Sequence, residues 1–444
     1  MRIQSIVFLT VFNLFFASSE AQQAQTQSFS LREAIDFAKK YNYSLQNNKL
    51  EVAASQKKVN EILASGLPQI NASGNIISNV QIPVQVIPNF TGQGPEFLEL
   101  KFGRPFTSNV TISANQLLFD GTFILGVKAS KEFVNLAQLN VSRNEIETEV
   151  NVSKAYYLVL LLEANEKMMQ KNIESLQKTK SDITQFYKNG FSEKIDVDRL
   201  TLQLSNLTLQ KEKIHDQKEV SKMILKLQMG MSVADSIVLT DELEKLYDAS
   251  KISAIEDKVN YLNRIEYKML QQQLSLNNLD KKRYTAGYFP SLFAFANHQE
   301  NAFGDELGGL YNKLYPGTSI GLSATLPIFD GLRKNAQTQQ AKIGITKTEN
   351  DIKNFENVIN QQVYQAKANF LRSSQQLEIQ RENLKLAQDI YDRMNLKYKN
   401  GVGSSLELTT VQTDLENSRT NLLTTIYEYF SAEMELKKAL GLIK

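Results

Sequence analysis

Residues 319–331 read SIGLSATLPIFDG. Ile320, Leu322, Ala324 and Leu326 alternate with Ser319, Gly321, Ser323 and Thr325. That is the period of a strand with one apolar and one small polar face. Pro327 then removes a backbone donor, and Phe329-Asp330-Gly331 supplies a favoured helix cap beside a permissive glycine. No proline follows Pro327. The stretch therefore reads as a strand delivered directly into a long helix.

The same junction occurs once before. Phe119-Asp120-Gly121 lies 210 residues upstream, at the end of a weaker strand pattern, Thr107–Phe119. Other landmarks recur at matching spacing. Tyr187-Lys188-Asn189-Gly190 returns as Tyr398-Lys399-Asn400-Gly401, and Leu227-Gln228-Met229-Gly230 parallels Lys438-Ala439-Leu440-Gly441. Ahead of the first strands, ASGLPQI (Ala64–Ile70) echoes AGYFPSL (Ala286–Leu292). Each half thus reads as helix, two strands, long helix, tight turn and helix, an internal duplication.

The expected division is a first repeat over 22–230, with strands at about 69–78 and 107–119 and helices at about 122–187 and 192–229. A linking segment follows over 231–250. The second repeat, 251–444, carries strands at about 291–299 and 318–328 and helices at about 332–398 and 404–440. Residues 80–106 and 300–317, rich in Pro, Gly and aromatic residues, read as long exposed hairpin loops.

All eight prolines fall in two windows, 68–105 and 290–327. Between and after them a seven-residue apolar period is sustained. Val127, Val134, Val141, Thr148, Ala155, Leu162, Met169, Leu176 and Ile183 form one series. Val363, Phe370, Leu377, Leu384, Tyr391 and Tyr398 form a second, and Leu408, Leu415, Leu422, Tyr429 and Leu436 a third. A sustained period of seven marks helices packed side by side with coiled-coil geometry. A helix over 122–187 would be roughly 100 Å long at about 1.5 Å per residue. That is about three times the hydrocarbon thickness of a bilayer. Any membrane-spanning part is therefore sought in the strands. Each is about ten residues with polar and apolar faces, which suits a membrane barrel and equally an ordinary half-buried sheet.

The first residues, MRIQSIVFLTVFNLFFASSEA, have a basic start, an apolar run and a small-x-small site, and read as a secretory signal peptide over 1–21. With no cysteine, neither a disulfide framework nor a lipid-anchored form is expected. Lys and Arg total 50 against 48 Asp and Glu, interspersed, so nothing concentrates the positive charge that nucleic acid demands. His215 and His298 are the two histidines, in unrelated contexts, and no metal spacing, phosphate loop or nucleophile motif is present. No catalysis, metal or cofactor is expected.

Four ten-residue strands cannot close a membrane barrel, since about eight is the minimum, and open edges are not viable in lipid. Oligomerisation is expected, and three copies would give twelve strands. In order and spacing, the paired LPQI and FPSL segments, the two FDG junctions and the two glycine turns resemble the TolC-type outer-membrane efflux family. The resemblance implies an α+β membrane protein, a homotrimer whose twelve-stranded β-barrel lies in the outer membrane of a Gram-negative bacterium. A long α-helical barrel would continue into the periplasm. The implied function is a passive exit duct of a tripartite efflux or type I secretion system, working with a periplasmic adaptor protein and an inner-membrane pump. The two YKNG turns would be hairpin tips meeting the adaptor, through Gly190, Phe191, Ser192, Gly401, Val402 and Gly403. Asp196 and Glu407, six residues past each turn glycine, would line a gate. Three copies of Glu407 would form an acidic ring, and Asp196 could instead bond Tyr398 on the neighbouring hairpin and hold a closed state. The rival reading is a periplasmic or secreted coiled-coil structural protein, which leaves the strand windows unexplained. The cargo is not legible.

Overall fold

The computed structural model describes residues 27–90, 93–249, 259–400 and 402–443. The expected signal peptide, Gly401 and residues 251–258 at the start of the second repeat lie outside these. In chain order the elements are β1 (Gln27–Phe29), α1 (Leu31–Tyr41), α2 (Tyr43–Ala64), β2 (Gln69–Ser78), β3 (Val84–Pro88), β4 (Phe97–Lys101) and β5 (Phe106–Phe119). Then come α3 (Gly121–Lys188), α4 (Lys194–Met229), β6 (Ile237–Leu239), α5 (Leu243–Ala249) and α6 (Ile265–Ala286). The chain ends with β7 (Ser291–Gly304), β8 (Leu314–Thr325), α7 (Arg333–Lys399) and α8 (Ser405–Leu440). Among the described residues no helix is long and apolar enough to cross a membrane.

The chain forms two compact units interleaved in sequence. Among the described residues one comprises 27–45, 145–249, 365–400 and 402–438, and its regular structure is helical apart from a short parallel pair, β1 with β6. Many of its heptad positions are buried, Leu176, Ile183, Leu377, Leu408, Leu415 and Leu436 among them, while Ala155, Leu162, Leu384, Tyr391 and Tyr398 are half-buried. Leu176 and Ile183 of α3 pack with Leu200 and Leu207 of α4, while Tyr157 stacks on Phe430 with ring centroids 4.6 Å apart. The pairing of β1 with β6 falls in what reads as a linker in the sequence. It is anchored from α3: the Tyr156 hydroxyl sits 2.9 Å from both the Phe29 carbonyl oxygen and Asp241 Oδ2, and Asp241 Oδ2 also accepts from Leu31 N at 2.8 Å. Between α3 and α4, Glu166 accepts from Lys218 Nζ at 2.6 Å and contacts His215 Nδ1 at 2.8 Å.

At the end of α4 the backbone crosses very close to the end of α1. Gly230 has φ +79°, and a Cβ there would lie 2.2 Å from the Tyr41 carbonyl oxygen. The buried Asn42 donates from Nδ2 to the Gln228 carbonyl at 2.7 Å, fixing the approach.

The other unit, 46–90, 93–144, 259–364 and 439–443, holds a four-stranded antiparallel sheet in the order β2-β5-β7-β8. Residues directly opposite share a face, so Ile70, Ala114, Ala296 and Ile320 form one cross-sheet row and Asn71, Ser113, Asn297 and Ser319 the adjacent row on the other face. The largest apolar side chains of the edge strands are exposed, Ile70 at 71%, Ile320 at 82% and Leu322 at 70%. Gly321 leaves room for the Phe295 ring, which lies 2.7 Å from where its Cβ would be. The apolar face is interrupted by His298, which contacts Thr318 Oγ1 at 2.8 Å.

The strands differ from expectation in extent. β7 runs on to Gly304 and β8 begins at Leu314, because ladder pairing carries through residues that composition marked as loop. β8 stops at Thr325, short of the expected 328, just before Pro327. The 80–106 connection is not all loop: β3 and β4 pair as an extra hairpin, Val84 opposite Lys101 and Pro88 opposite Phe97.

Candidate functional site

The first YKNG turn ends α3. Gly190 adopts φ +80°, Gly190 N–H donates to the Tyr187 carbonyl at 3.0 Å, and Phe191 N–H to the Phe186 carbonyl at 2.8 Å. This is the left-handed glycine cap that satisfies the last carbonyls of a helix. The second turn makes the matching long bond, Val402 N–H to the Lys397 carbonyl at 3.1 Å. Gly403 is fixed by proximity instead: a Cβ there would lie 3.1 Å from Tyr398 N. Each turn projects one large apolar side chain, Phe191 at 82% exposure and Val402 at 77%.

The two acidic residues, alike in spacing, do different work. Glu407 is exposed and belongs to a capping box at the start of α8. Its Oε2 accepts from Ser404 N–H at 3.2 Å, while Ser404 Oγ accepts from Glu407 N–H at 3.1 Å. Asp196, in the first turn of α4, bridges both hairpins. Its Oδ2 accepts from Ser192 Oγ at 3.0 Å and its Oδ1 from Ser405 Oγ, on α8, at 2.6 Å. The Ser405 bond is the chief influence holding the Asp196 carboxyl below the usual carboxylate range, with burial opposing it and Ser192 reinforcing it.

The Asp196–Tyr398 hydrogen bond is not formed within the chain; the Asp196 carboxylate accepts from Ser192 and Ser405. Tyr398 instead packs against the apolar cluster around Ile183 and Leu200. Burial pushes its phenol up, and the charges of Asp196 and Asp182 add to that. Ser405 is not among the residues singled out from the sequence. Ser404-Ser405-Leu406-Glu407 does carry a legible signal, the S-x-x-E capping pattern, which fixes where α8 starts and hence where Ser405 points. Among the described residues no group of His, Cys, Asp and Glu is placed to hold a metal ion.

Comparison with known proteins agrees with this architecture. Residues 268–442 match the family model described as outer membrane efflux protein. The outer membrane protein TolC of Escherichia coli strain K12 is 25% identical over 122 residues, a segment covering 28% of this chain and only a quarter, 25%, of that relative's length. Among solved structures, the outer membrane protein VceC of Vibrio cholerae superposes with TM-score 0.70 at 15% identity, over 93% of this chain and 96% of that one. CusC superposes with TM-score 0.73 at 18% identity, over 92% and 91%. The Campylobacter jejuni CmeC outer membrane channel does so with TM-score 0.69 at 16% identity, over 93% and 85%. At such identities the structural likenesses establish the fold. The family match over 268–442 and the TolC segment add a likeness in sequence, so this chain is similar in fold, and in part in sequence, to TolC-type outer membrane efflux proteins.

Proposed function

We propose that the protein is the outer-membrane exit duct of a tripartite efflux or type I secretion system, conducting substrates passively from a periplasmic adaptor and an inner-membrane pump to the exterior. The observation that carries this reading is the four-stranded sheet with two unpaired edges and an exposed apolar face. A sheet of that kind is an unfinished wall. In lipid every backbone polar group needs a partner, so the edges must be closed by other copies. Three copies supply twelve strands, within the range of membrane barrels. The helices, with their buried heptad seams, then join into a helical barrel in the periplasm, and the two repeats of one chain stand as near-equivalent staves.

On this reading the hairpin turns, residues 190–192 and 401–403, meet the adaptor, and Phe191 and Val402 supply the apolar contact. Asp196 with Ser405 is the latch between hairpins. Tyr398 backs it from the apolar cluster, and Glu407 gives the acidic ring at the opening. The test is the mass of the mature chain extracted from the outer-membrane fraction in mild detergent. A trimer is expected. A monomer, or a chain found in the soluble periplasm, would leave four strands unable to close and would overturn the proposal.

A further inference from the structure

The two hairpins of the sheet pair in the same register. Gln69, the residue after Pro68, lies opposite Asn115, four residues before Phe119. Ser291, the residue after Pro290, lies opposite Thr325, four residues before Phe329. β2 and β7 are thus counterparts, as are β5 and β8. The central contact of the sheet, β5 with β7, joins the second strand of one hairpin to the first strand of the next. The open edges of β8 and β2 are those same two kinds of edge, left without a partner.

The strand-to-helix junctions differ in the same way. At the first, Gly121 packs against α6: a Cβ on it would lie 3.1 Å from Ala286 Cβ. At the second, Gly331 meets nothing within 4 Å, and the residues before it are bare, Ile328 at 94% exposure and Phe329 at 81%. Gly331 and Leu332 both hold φ +67°, the latter an uncommon state for a residue with a side chain. The counterpart of Ala286 is Ala64, also an alanine.

We propose that β8 of one copy pairs with β2 of a second copy in the register that β5 and β7 use within the chain. This rests on the trimeric barrel reading and specifies its seam. Carrying the observed pairs across, Gln116 with Ala294 becomes Leu326 with Ala72, and Phe119 with Leu292 becomes Phe329 with Ile70. Leu322 then faces Ile76, Ala324 faces Gly74, Ser323 faces Asn75 and Thr325 faces Ser73. In these six pairs apolar residues meet apolar ones and polar meet polar; Pro327 opposite Asn71, Ile320 opposite Ser78 and Gly321 opposite Ile77 depart from that matching. A slip of one residue would mix the faces. Pairing also lengthens β8 through 326–329, with Ile328 taking the bulged place that Leu118 holds in β5, and seats Gly331 on Ala64 of the adjoining copy.

The cysteine-free chain makes the register directly measurable. Residues directly opposite have Cα atoms about 4.5–5.5 Å apart, within the window of about 4.4–6.8 Å that a disulfide needs. A diagonal neighbour two residues off lies at about 7–8 Å. The double variant Leu322→Cys with Ile76→Cys, expressed in the outer membrane and oxidised, is expected to give a covalent trimer on non-reducing gels. Its yield is expected to be at least several-fold above that of Leu322→Cys with Gly74→Cys or with Ser78→Cys. A maximum at either shifted pair overturns the register. No cross-link in any pair, in protein that is trimeric by mass in detergent, overturns the edge contact while leaving the trimer standing. A monomeric mass overturns the underlying duct reading together with its seam.

Discussion

Ser405 donates its hydroxyl to Asp196 at 2.6 Å, joining the start of α8 to the start of α4. The bond links the two hairpins at the level of their turns, beside the packing of Tyr398 against the cluster of Ile183 and Leu200.

This bond makes the hairpin contact sensitive to acid. The folded pKa of Asp196 lies below its unfolded value of about 3.9, so the stabilisation is complete above about pH 4 and is lost as pH falls through the lowered folded value. Ser405→Ala removes the largest lowering influence. Single-channel recordings in planar bilayers across acidic pH should then show the high-conductance state reached at a higher pH than in the parent. An unmoved pH dependence would remove Asp196–Ser405 as the latch.

Glu407→Gln separates charge from capping. Gln at the third helical position still reaches the N-cap backbone, so the start of α8 is kept. If three Glu407 carboxylates ring the opening, the variant loses cation preference, read as a reversal potential in a salt gradient moving toward zero. Unchanged selectivity would leave Glu407 with its capping duty alone.

Gly230→Ala tests the close crossing of α4 and α1. The added Cβ meets the Tyr41 carbonyl in a backbone that already has positive φ, and neither chain segment is a flexible side chain tip. The expected loss is about 2–4 kcal/mol, from left-handed strain and overpacking combined. It would be read as a lower urea midpoint by far-UV circular dichroism in detergent. Gly308→Ala, with open space around it, should leave the midpoint unchanged.

Tyr156→Phe removes the one hydroxyl that ties α3 to both β1 and the segment after β6. Tyr156 is fully buried, and the Phe29 carbonyl and Asp241 keep other donors, Thr240 N–H and Leu31 N–H. The cost should therefore be moderate, about 1–2 kcal/mol. Burial, with Asp241 adding to it, drives the Tyr156 phenol far above its ordinary value. Its contribution is thus present below about pH 10 and lost as pH rises further toward the folded value. The variant should show a shallower alkaline loss of stability than the parent.

Much of this protein is local, and local features are legible. Heptad periodicity without proline specifies long packed helices, because every apolar residue in such a series returns to the same seam. Alternation in SIGLSATL specifies a two-faced strand, and glycine after YKN specifies where α3 must end. The parts that escaped are those where distant segments meet. β1 and β6 are three residues each, too short for any period, and exist because Tyr156 and Asp241 hold them together across the chain. The hairpin of β3 and β4 lay hidden in a proline-rich stretch whose composition signals loop. Asp196 and Glu407 occupy the same place in the repeat; the S-x-x-E pattern marks Glu407 as a cap, but nothing along the chain says that Asp196 reaches Ser405. The sequence by itself determined the helices, the strand faces and the turns, since each follows from neighbours along the chain. Tertiary structure alone decided which carboxylate bridges, which glycine admits a crossing backbone and which strand edges are left open. Those depend on groups hundreds of residues apart arriving within hydrogen-bond distance.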